Sequence, residues 1–399
     1  MNTKNSPITP TIPLRVEKII PGGQALATLE TGKKIFLWNA LPGELVEEYK
    51  VTKIKSTYAE GVATKIAQPS AHRIAPEDDC YLSTSPFQIM TYDYELKTKQ
   101  DLIVEIFREH GIDLDTPEIA TDGNPYFYRN KMEYSLFWDN TDQKIHLAFH
   151  QRGSHHKVKV EKSSLERPEI FAAAKKIVDD LNARHEEARK YQSLLLRANQ
   201  AGAVSGGLYE NGKPHPVFEN LTDEILGTKY SYSPNGFFQI NLPVYELALA
   251  EIKQYINTDK VLDLYSGVGT IGFSVAGDKN LTLVEVDKSA YKELENNAKN
   301  FPEAHPILAR SEDVLNYITP DETVILDPPR AGCDEKLIEK LIEVKPEQII
   351  YLSCNPATQA RDIKKLLGTY EIVKVKTFNF FPRTSHIENL VILERKNHA

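Results

Sequence analysis

The chain has 399 residues and a formal net charge of −8. This length allows two or three domains and at least one sizeable core, and the acidic balance excludes a globally basic nucleic-acid binder but not a local basic face. Its cysteines, Cys80, Cys333 and Cys354, are widely spaced and odd in number, which argues against a disulfide framework. The N-terminus lacks a signal-type segment, and no run of about 18 apolar residues occurs. We therefore expect a cytoplasmic protein without a membrane span.

The first part of the chain, residues 12–67, alternates short apolar runs with turns rich in glycine and proline, such as Pro21-Gly-Gly23 and Leu41-Pro-Gly43. So few short strands close most naturally into a small β-barrel. The stretch resembles the TRAM domain, an OB-like barrel, and the resemblance implies RNA binding for residues 1–68. An anonymous β-barrel is the alternative.

The central part, residues 69–228, carries mixed signals and is predicted to be an α+β domain that binds RNA. Periodicity predicts a helix near 96–110 and strands at 130–137 and 144–150. A long amphipathic helix is expected over 168–199. The run 152–160 is locally basic and fits either a phosphate-binding strand or a solvated strand face.

From about residue 230 the predicted order becomes regular, and we assign residues 229–399 to a catalytic domain. Helices and strands alternate as in a doubly wound parallel sheet, with strands predicted at 261–264, 281–286, 324–326 and 348–352. Two further strands, at 371–379 and 387–394, end the chain like the edge hairpin of a seven-stranded, Rossmann-like methyltransferase sheet. The predicted fold is therefore multidomain α/β.

The first strand of this domain runs into Tyr265-Ser-Gly267-Val-Gly269-Thr-Ile-Gly272, a glycine turn that feeds a helix. Glu285 follows about 20 residues after the turn, where a carboxylate can hold ribose hydroxyls. Dehydrogenases and S-adenosylmethionine enzymes both use this device. The later motif Asp327-Pro-Pro-Arg330 favours a methyltransferase acting on a planar base, and Arg330 in place of an aromatic residue favours a carbon target over an exocyclic amine.

Cys354 lies where a buried strand ends and a helix begins, with Asn355 as N-cap and Pro356 as first helical residue. The positive end of the helix dipole is expected to lower the pKa of the thiol. A small buried hydrophobic residue is the alternative, and this motif alone does not decide between the two.

These motifs, together with Asn235-Gly-Phe237-Phe-Gln239-Ile-Asn241 and Phe381-Pro-Arg-Thr-Ser-His386-Ile-Glu388, resemble the RNA uracil-C5 methyltransferase family, which makes 5-methyluridine with S-adenosylmethionine. The resemblance implies that Cys354 is the nucleophile and Glu388 the proton acceptor, both at one edge of the sheet. It also implies a site for a flipped-out uracil. The implied cofactor contacts are Gln239, Tyr265, Glu285, Asp327 and Thr270, and Phe237 is expected beside the target base.

One departure concerns cysteines, because many ribosomal-RNA members of that family carry an iron–sulphur cluster. Here only Cys80 is present in the comparable region, and a later position near Ser163-Ser164 is serine. Four thiolates are normally needed, so we expect no cluster and no other metal. Cys333 is expected to pack in the core.

The expected partner is RNA, with 23S ribosomal RNA favoured over transfer RNA, and the protein is expected to be a monomer. A Rossmann oxidoreductase, supported by the glycine turn and Glu285, is a remote alternative. A non-catalytic RNA-binding protein is another.

Overall fold

The structure, a computed structural model, describes residues 10–152 and 156–396. Residues 1–9 of the predicted barrel domain, residues 153–155 of the basic run and residues 397–399 lie outside the described residues. None of the helices in this part of the chain is long and apolar enough to cross a membrane.

The N-terminal region forms a closed five-stranded barrel in the order β1-β2-β3-β5-β4, which confirms the predicted barrel. Its strands alternate buried and exposed side chains because only one face of each points into the barrel core. The strands are β1 (Leu14–Ile19), β2 (Ala25–Thr28), β3 (Lys34–Trp38), β4 (Leu45–Ile54) and β5 (Tyr58–Gln68).

The central region contains a six-stranded sheet in the order β12-β11-β10-β7-β8-β9. Its helices are α1 (Tyr81–Thr84), α2 (Tyr92–Glu109) and α3 (Pro168–Ala183). Its strands are β6 (Glu118–Ala120), β7 (Lys131–Asp139), β8 (Lys144–His150), β9 (Lys157–Lys159), β10 (Ser193–Ala198), β11 (Val204–Glu210) and β12 (Lys213–His215).

The expected long helix over 168–199 is wrong. Helix α3 ends at Ala183, and the apolar run Leu194–Leu196 lies in β10, between β7 and β11. A short, fully buried apolar run fits a strand as well as a helix, so its pairing partners decide the outcome.

The C-terminal region begins with a hairpin and continues as alternating helices and strands. The hairpin is β13 (Leu221–Ile225) and β14 (Thr228–Tyr232). The helices are α4 (Leu242–Tyr255), α5 (Thr270–Ala276), α6 (Lys288–Ala298), α7 (Glu335–Val344) and α8 (Pro356–Leu366). The strands are β15 (Lys260–Leu264), β16 (Asn280–Glu285), β17 (Ala304–Leu308), β18 (Thr323–Leu326), β19 (Gln348–Ser353), β20 (Tyr370–Phe378) and β21 (Glu388–Arg395).

These seven strands form one sheet in the order β17-β16-β15-β18-β19-β21-β20, and β6 of the central region adds an eighth strand beyond β20. Strands β15 to β19 pair in parallel, whereas β21 is antiparallel to both of its neighbours. The predicted seven-stranded sheet is thus extended by a strand far away in sequence.

Residues of the predicted central domain contribute to the cores on both faces of this large sheet. Leu102 and Phe107 of α2 pack in one core with Tyr351, and Leu221 and Ile225 of the hairpin pack in the other. The predicted domain boundaries at residues 68/69 and 228/229 therefore stay a prediction. Helix α2 and strand β6 lie inside the predicted central domain, but they pack with the large sheet.

Candidate active site

The carboxyl ends of the parallel strands open into a cavity of about 710 Å³. Parallel α/β sheets bind their ligands at this edge. All eight side chains that the sequence singled out line this one cavity: Phe237, Gln239, Tyr265, Thr270, Glu285, Asp327, Cys354 and Glu388.

One wall of the cavity is the glycine turn between β15 and α5. Gly267 has φ +58°, and a Cβ built on it would meet no heavy atom within 4 Å, so its backbone is open to a ligand. Gly269 has φ +87°, and a Cβ there would lie 2.3 Å from the Phe273 ring. The first glycine thus leaves room for a ligand, and the second lets the helix pack.

Glu285, at the end of β16, is tied to that turn. One of its carboxylate oxygens accepts from the Gly267 amide at 2.8 Å, and the other accepts from the Asp287 amide at 2.6 Å. Below the turn, Asp263 is fully buried and accepts from the Gly272 amide at 3.0 Å. Burial raises the pKa of Asp263 to about 8.

Cys354 and Glu388 are brought together by the register of two antiparallel strands. Ser353 of β19 pairs with Asn389 of β21, so the next position on each strand holds Cys354 and Glu388. Because β21 runs opposite to β19, its first residue lies at the same sheet edge as the end of β19. Asn355 caps helix α8 by accepting from the Ala357 amide at 3.3 Å, and Pro356 is the first helical residue, as predicted.

The electrostatics around the thiol differ from the sequence-based expectation. Burial, with the Glu388 and Asp327 carboxylates, raises the pKa of Cys354 to about 11. Burial also raises the pKa of Asp327 to about 7, and burial together with Asp327 raises that of Glu388 well above its ordinary value. The prediction of a lowered thiol pKa is therefore wrong for the free protein, because burial and two acids outweigh the helix end.

The loop that carries Phe237 and Gln239 is held from the central sheet. The fully buried Arg197 of β10 donates to the Gly236 carbonyl at 3.2 Å and also to the Phe238 carbonyl. Asn130 donates to the Gln239 carbonyl at 3.0 Å. These contacts fix the loop, while 71% of the Phe237 side chain stays exposed at the cavity mouth.

Known proteins resemble this chain along nearly its whole length. An uncharacterised RNA methyltransferase of Enterococcus faecalis is 30% identical over 98% of this chain and 99% of its own. The chain belongs to a family of RNA methyltransferases. The family model for tRNA (uracil-5-)-methyltransferases matches residues 308–396, and an uncharacterised RNA methyltransferase of Bacillus cereus is 26% identical over 97% of both chains.

A solved structure shares the fold. The Pyrococcus abyssi tRNA (uracil-54, C5)-methyltransferase, solved in complex with S-adenosyl-L-homocysteine, has a TM-score of 0.73 and 24% identity, covering 95% of this chain and 99% of its own. The N-terminal barrel, the central sheet and the large sheet are thus one architecture found in a uracil-5 methyltransferase.

Two residues that were not predicted as site residues, Arg330 and His386, also line the cavity. Arg330 lies 3.1 Å from Nδ1 of His386, and its carbonyl accepts from the Asn355 side chain at 2.8 Å. Burial and neighbouring cations, Arg330 first among them, lower the pKa of His386 to about 4. Arg330 directly follows the Asp-Pro-Pro turn, and His386 lies two residues before Glu388. These positions within the sequence motifs could have identified both as residues of the site.

The other cysteines lie in cores. Cys80 is 3% exposed, and burial raises its pKa to about 12. Nearby, Ser164 donates to Asp78 at 2.8 Å and Ser163 donates to Glu166, so the hydroxyls at these positions bind buried carboxylates. Cys333 is also buried and lies 3.6 Å from the Tyr351 hydroxyl.

Proposed function

We propose that this protein transfers a methyl group from S-adenosylmethionine to C5 of a uridine in RNA, through a covalent bond between Cys354 and C6 of the base. The convergence of all eight predicted side chains on one cavity, with the thiol and Glu388 at matching positions of paired strands, supports the proposal most strongly.

The residues present fit S-adenosylmethionine. Gly267 leaves backbone room beside Glu285, whose carboxylate can accept from ribose hydroxyls, and we assign Gln239, Tyr265, Asp327 and Thr270 to the same ligand. When bound, the cofactor supplies the methyl group and a positive charge that favours the ionised forms of the nearby thiol and carboxyls.

Uracil C5 is too weak a nucleophile to be methylated without help. The Cys354 thiol loses its proton to solvent, and the thiolate adds to C6 while the electrons of the C5–C6 double bond move towards C5 and the ring carbonyl. C5 would then take the methyl group of S-adenosylmethionine, which leaves S-adenosylhomocysteine. Glu388 accepts the C5 proton, the double bond re-forms, and the bond from sulphur to C6 breaks. The raised pKa of Glu388 makes its ionised form a stronger base for this step. We assign Phe237, an exposed residue of the cavity lining, to stacking on the flipped base.

Among RNAs we favour 23S ribosomal RNA, with transfer RNA as the alternative. The N-terminal barrel resembles the TRAM domain, which some transfer-RNA members of the family lack, and this favours ribosomal RNA. The full-length fold match to a transfer-RNA enzyme means that the barrel does not separate the two. Methylation assays with each purified RNA separate them directly.

The first test incubates the protein with methyl-labelled S-adenosylmethionine and unmodified RNA. We expect label in 5-methyluridine after digestion to nucleosides. Absence of transfer to any uridine of total ribosomal and transfer RNA would refute the proposal. Tight binding of a nicotinamide nucleotide instead would indicate an oxidoreductase, and RNA binding alone would indicate a non-catalytic protein.

The second test uses RNA containing 5-fluorouridine, in which loss of the C5 proton is blocked. We expect a denaturation-resistant protein–RNA adduct with the unmodified protein and none with Cys354→Ala. Cys80→Ala, which removes a thiol buried in the central sheet, serves as the matched control and should form the adduct normally. An undiminished adduct in Cys354→Ala would reject the assignment of the nucleophile.

A further inference from the structure

The loop 379–387 joins β20 to β21 and leads directly into Glu388. Its backbone is bound mainly by side chains and amides from the first third of the chain. Four consecutive carbonyls accept hydrogen bonds: Phe380 from Asn241 at 3.2 Å, Phe381 from Lys99 at 3.0 Å, Pro382 from the Tyr128 hydroxyl at 3.0 Å and Arg383 from the Phe87 amide at 3.0 Å. The loop is thus held along its length by other segments.

The centre of this network is an ion pair on α2. Glu95 and Lys99 lie one helical turn apart, 2.9 Å from each other, and both side chains are 0% exposed. Lys99 uses its three donor positions on Glu95, on the Asn379 side chain at 2.6 Å and on the Phe381 carbonyl. Glu95 in turn accepts from the Arg383 amide at 3.0 Å. Every proton of the buried ammonium therefore has an acceptor, and two of the three lie in the loop.

Arg383 shows that the loop is held in a conformation it would not adopt alone. Its φ is +62°, a region that residues other than glycine rarely occupy. The guanidinium donates to the Met90 carbonyl at 2.8 Å and lies over the rings of Tyr92 and Tyr126, 5.3 and 5.0 Å from their centroids. Such backbone conformations persist where the surroundings over-determine them, and they cluster at functional sites.

Stability alone is a poor explanation for a buried ion pair. Removing two charges from water is costly, and replacing such pairs by apolar side chains of similar volume often leaves stability unchanged or improved. The pair instead fixes the position of the loop, because each hydrogen bond from the pair to the loop holds one loop atom in place.

We propose that Glu95 and Lys99 are positioning residues that hold loop 379–387, so that Phe381 and Glu388 keep their places in the cavity. This inference rests on the proposed function only in assigning the C5 proton to Glu388. Attack on C6 depends on Cys354 at the end of β19, which the pair does not touch. Removal of the C5 proton depends on Glu388, which follows the loop. Loss of the pair should therefore slow the release of the enzyme from methylated RNA more than the methyl transfer itself.

The test compares Lys99→Met with Lys97→Met. Lys97 is on the same helix and forms an exposed ion pair with Asp101, with side chains 68% and 57% exposed, so it is a matched control. Hydrogen exchange followed by mass spectrometry on peptides covering 379–388 should be faster in Lys99→Met and unchanged in Lys97→Met.

Kinetics supply the second measurement. With ordinary RNA and S-adenosylmethionine, Lys99→Met should accumulate a denaturation-resistant adduct, and its turnover number should fall about tenfold. This loss is smaller than the one expected when a general base is removed altogether. Its single-turnover methyl transfer and its KM for RNA should change less than about twofold. If Lys99→Met does not fold, the uncharged double variant Glu95→Gln with Lys99→Met replaces it.

Unchanged exchange in the loop would overturn the inference, whatever the RNA substrate. Equal decreases in methyl transfer and release, without an adduct, would also overturn it, because they indicate a general loss of structure. If the unmodified protein methylates no RNA, the proposed function fails, and the exchange measurement still decides whether the pair holds the loop.

Discussion

The raised pKa of Cys354 predicts that its thiol is alkylated slowly in the free protein. Only the thiolate is nucleophilic. Relative to an ordinary cysteine with a pKa of about 8.5, a pKa of about 11 lowers the ionised fraction at pH 8 roughly 200-fold. A more basic thiolate is intrinsically more reactive, and this recovers roughly tenfold. We therefore expect iodoacetamide to alkylate Cys354 about 20-fold more slowly than a free cysteine at pH 8, with a rate that rises about tenfold per pH unit up to about pH 10.

The assay follows alkylation of the Cys354 peptide by mass spectrometry from pH 7 to 11, without cofactor. Asp327→Asn should move the curve to lower pH, since this carboxylate contributes to the rise. Asp101→Asn, which removes an exposed acid on α2, should not move it. A rate that is already constant at pH 8.5 would refute the electrostatic argument and would show that the helix end dominates after all.

Other variants test the surroundings of the site. Burial raises the pKa of Asp263 to about 8, so stability should fall as pH rises from about 4 to 8. In Asp263→Asn the loss of Tm between pH 5.5 and 7.5, measured by calorimetry, should shrink by about 2 °C or more, and an unchanged slope would contradict this. Gly269→Ala should lower the urea-derived free energy of unfolding more than Gly267→Ala, because its methyl meets a ring at 2.3 Å. Both also bear about 1–2 kcal/mol of left-handed strain, and equal losses would reject the packing argument. Arg197→Met should cost about 1–3 kcal/mol by leaving the carbonyl of the buried residue Phe238 without its donor. Arg184→Met, at an exposed ion pair, should cost almost nothing in the same urea assay.

The parallel strands and the positions just after them could be predicted from the sequence. Runs such as 348–352 are continuously apolar because both faces of the strand are covered, and the residues that follow must then lie at one edge. That rule alone placed Glu285, Asp327 and Cys354 around one cavity. Glu388 needed the family resemblance as well, because a single acid before an apolar strand has no distinctive pattern.

Features that depend on distant partners could not be predicted. Strand β6 has only three residues and is defined by pairing with β20, more than 250 positions later. Strand β17 contains a proline and lies at the sheet edge, so its local pattern is weak. Arg197 and Lys99 look like ordinary charged residues in sequence, since most of the groups that they bind lie in remote loops. The raised pKa of the Cys354 thiol could not be predicted for the same reason, because both its burial and the two neighbouring acids depend on other strands.

The insertion of β21 between β19 and β20 has a consequence for the order of assembly. Until residues 388–395 are in place, β20 and β6 are not hydrogen-bonded to the parallel strands. Glu388 is then also absent from the position beside Cys354. A nascent chain that stops short of this strand would carry the cysteine without its partner. The step that completes the large sheet is therefore also the step that brings Glu388 to the position beside Cys354.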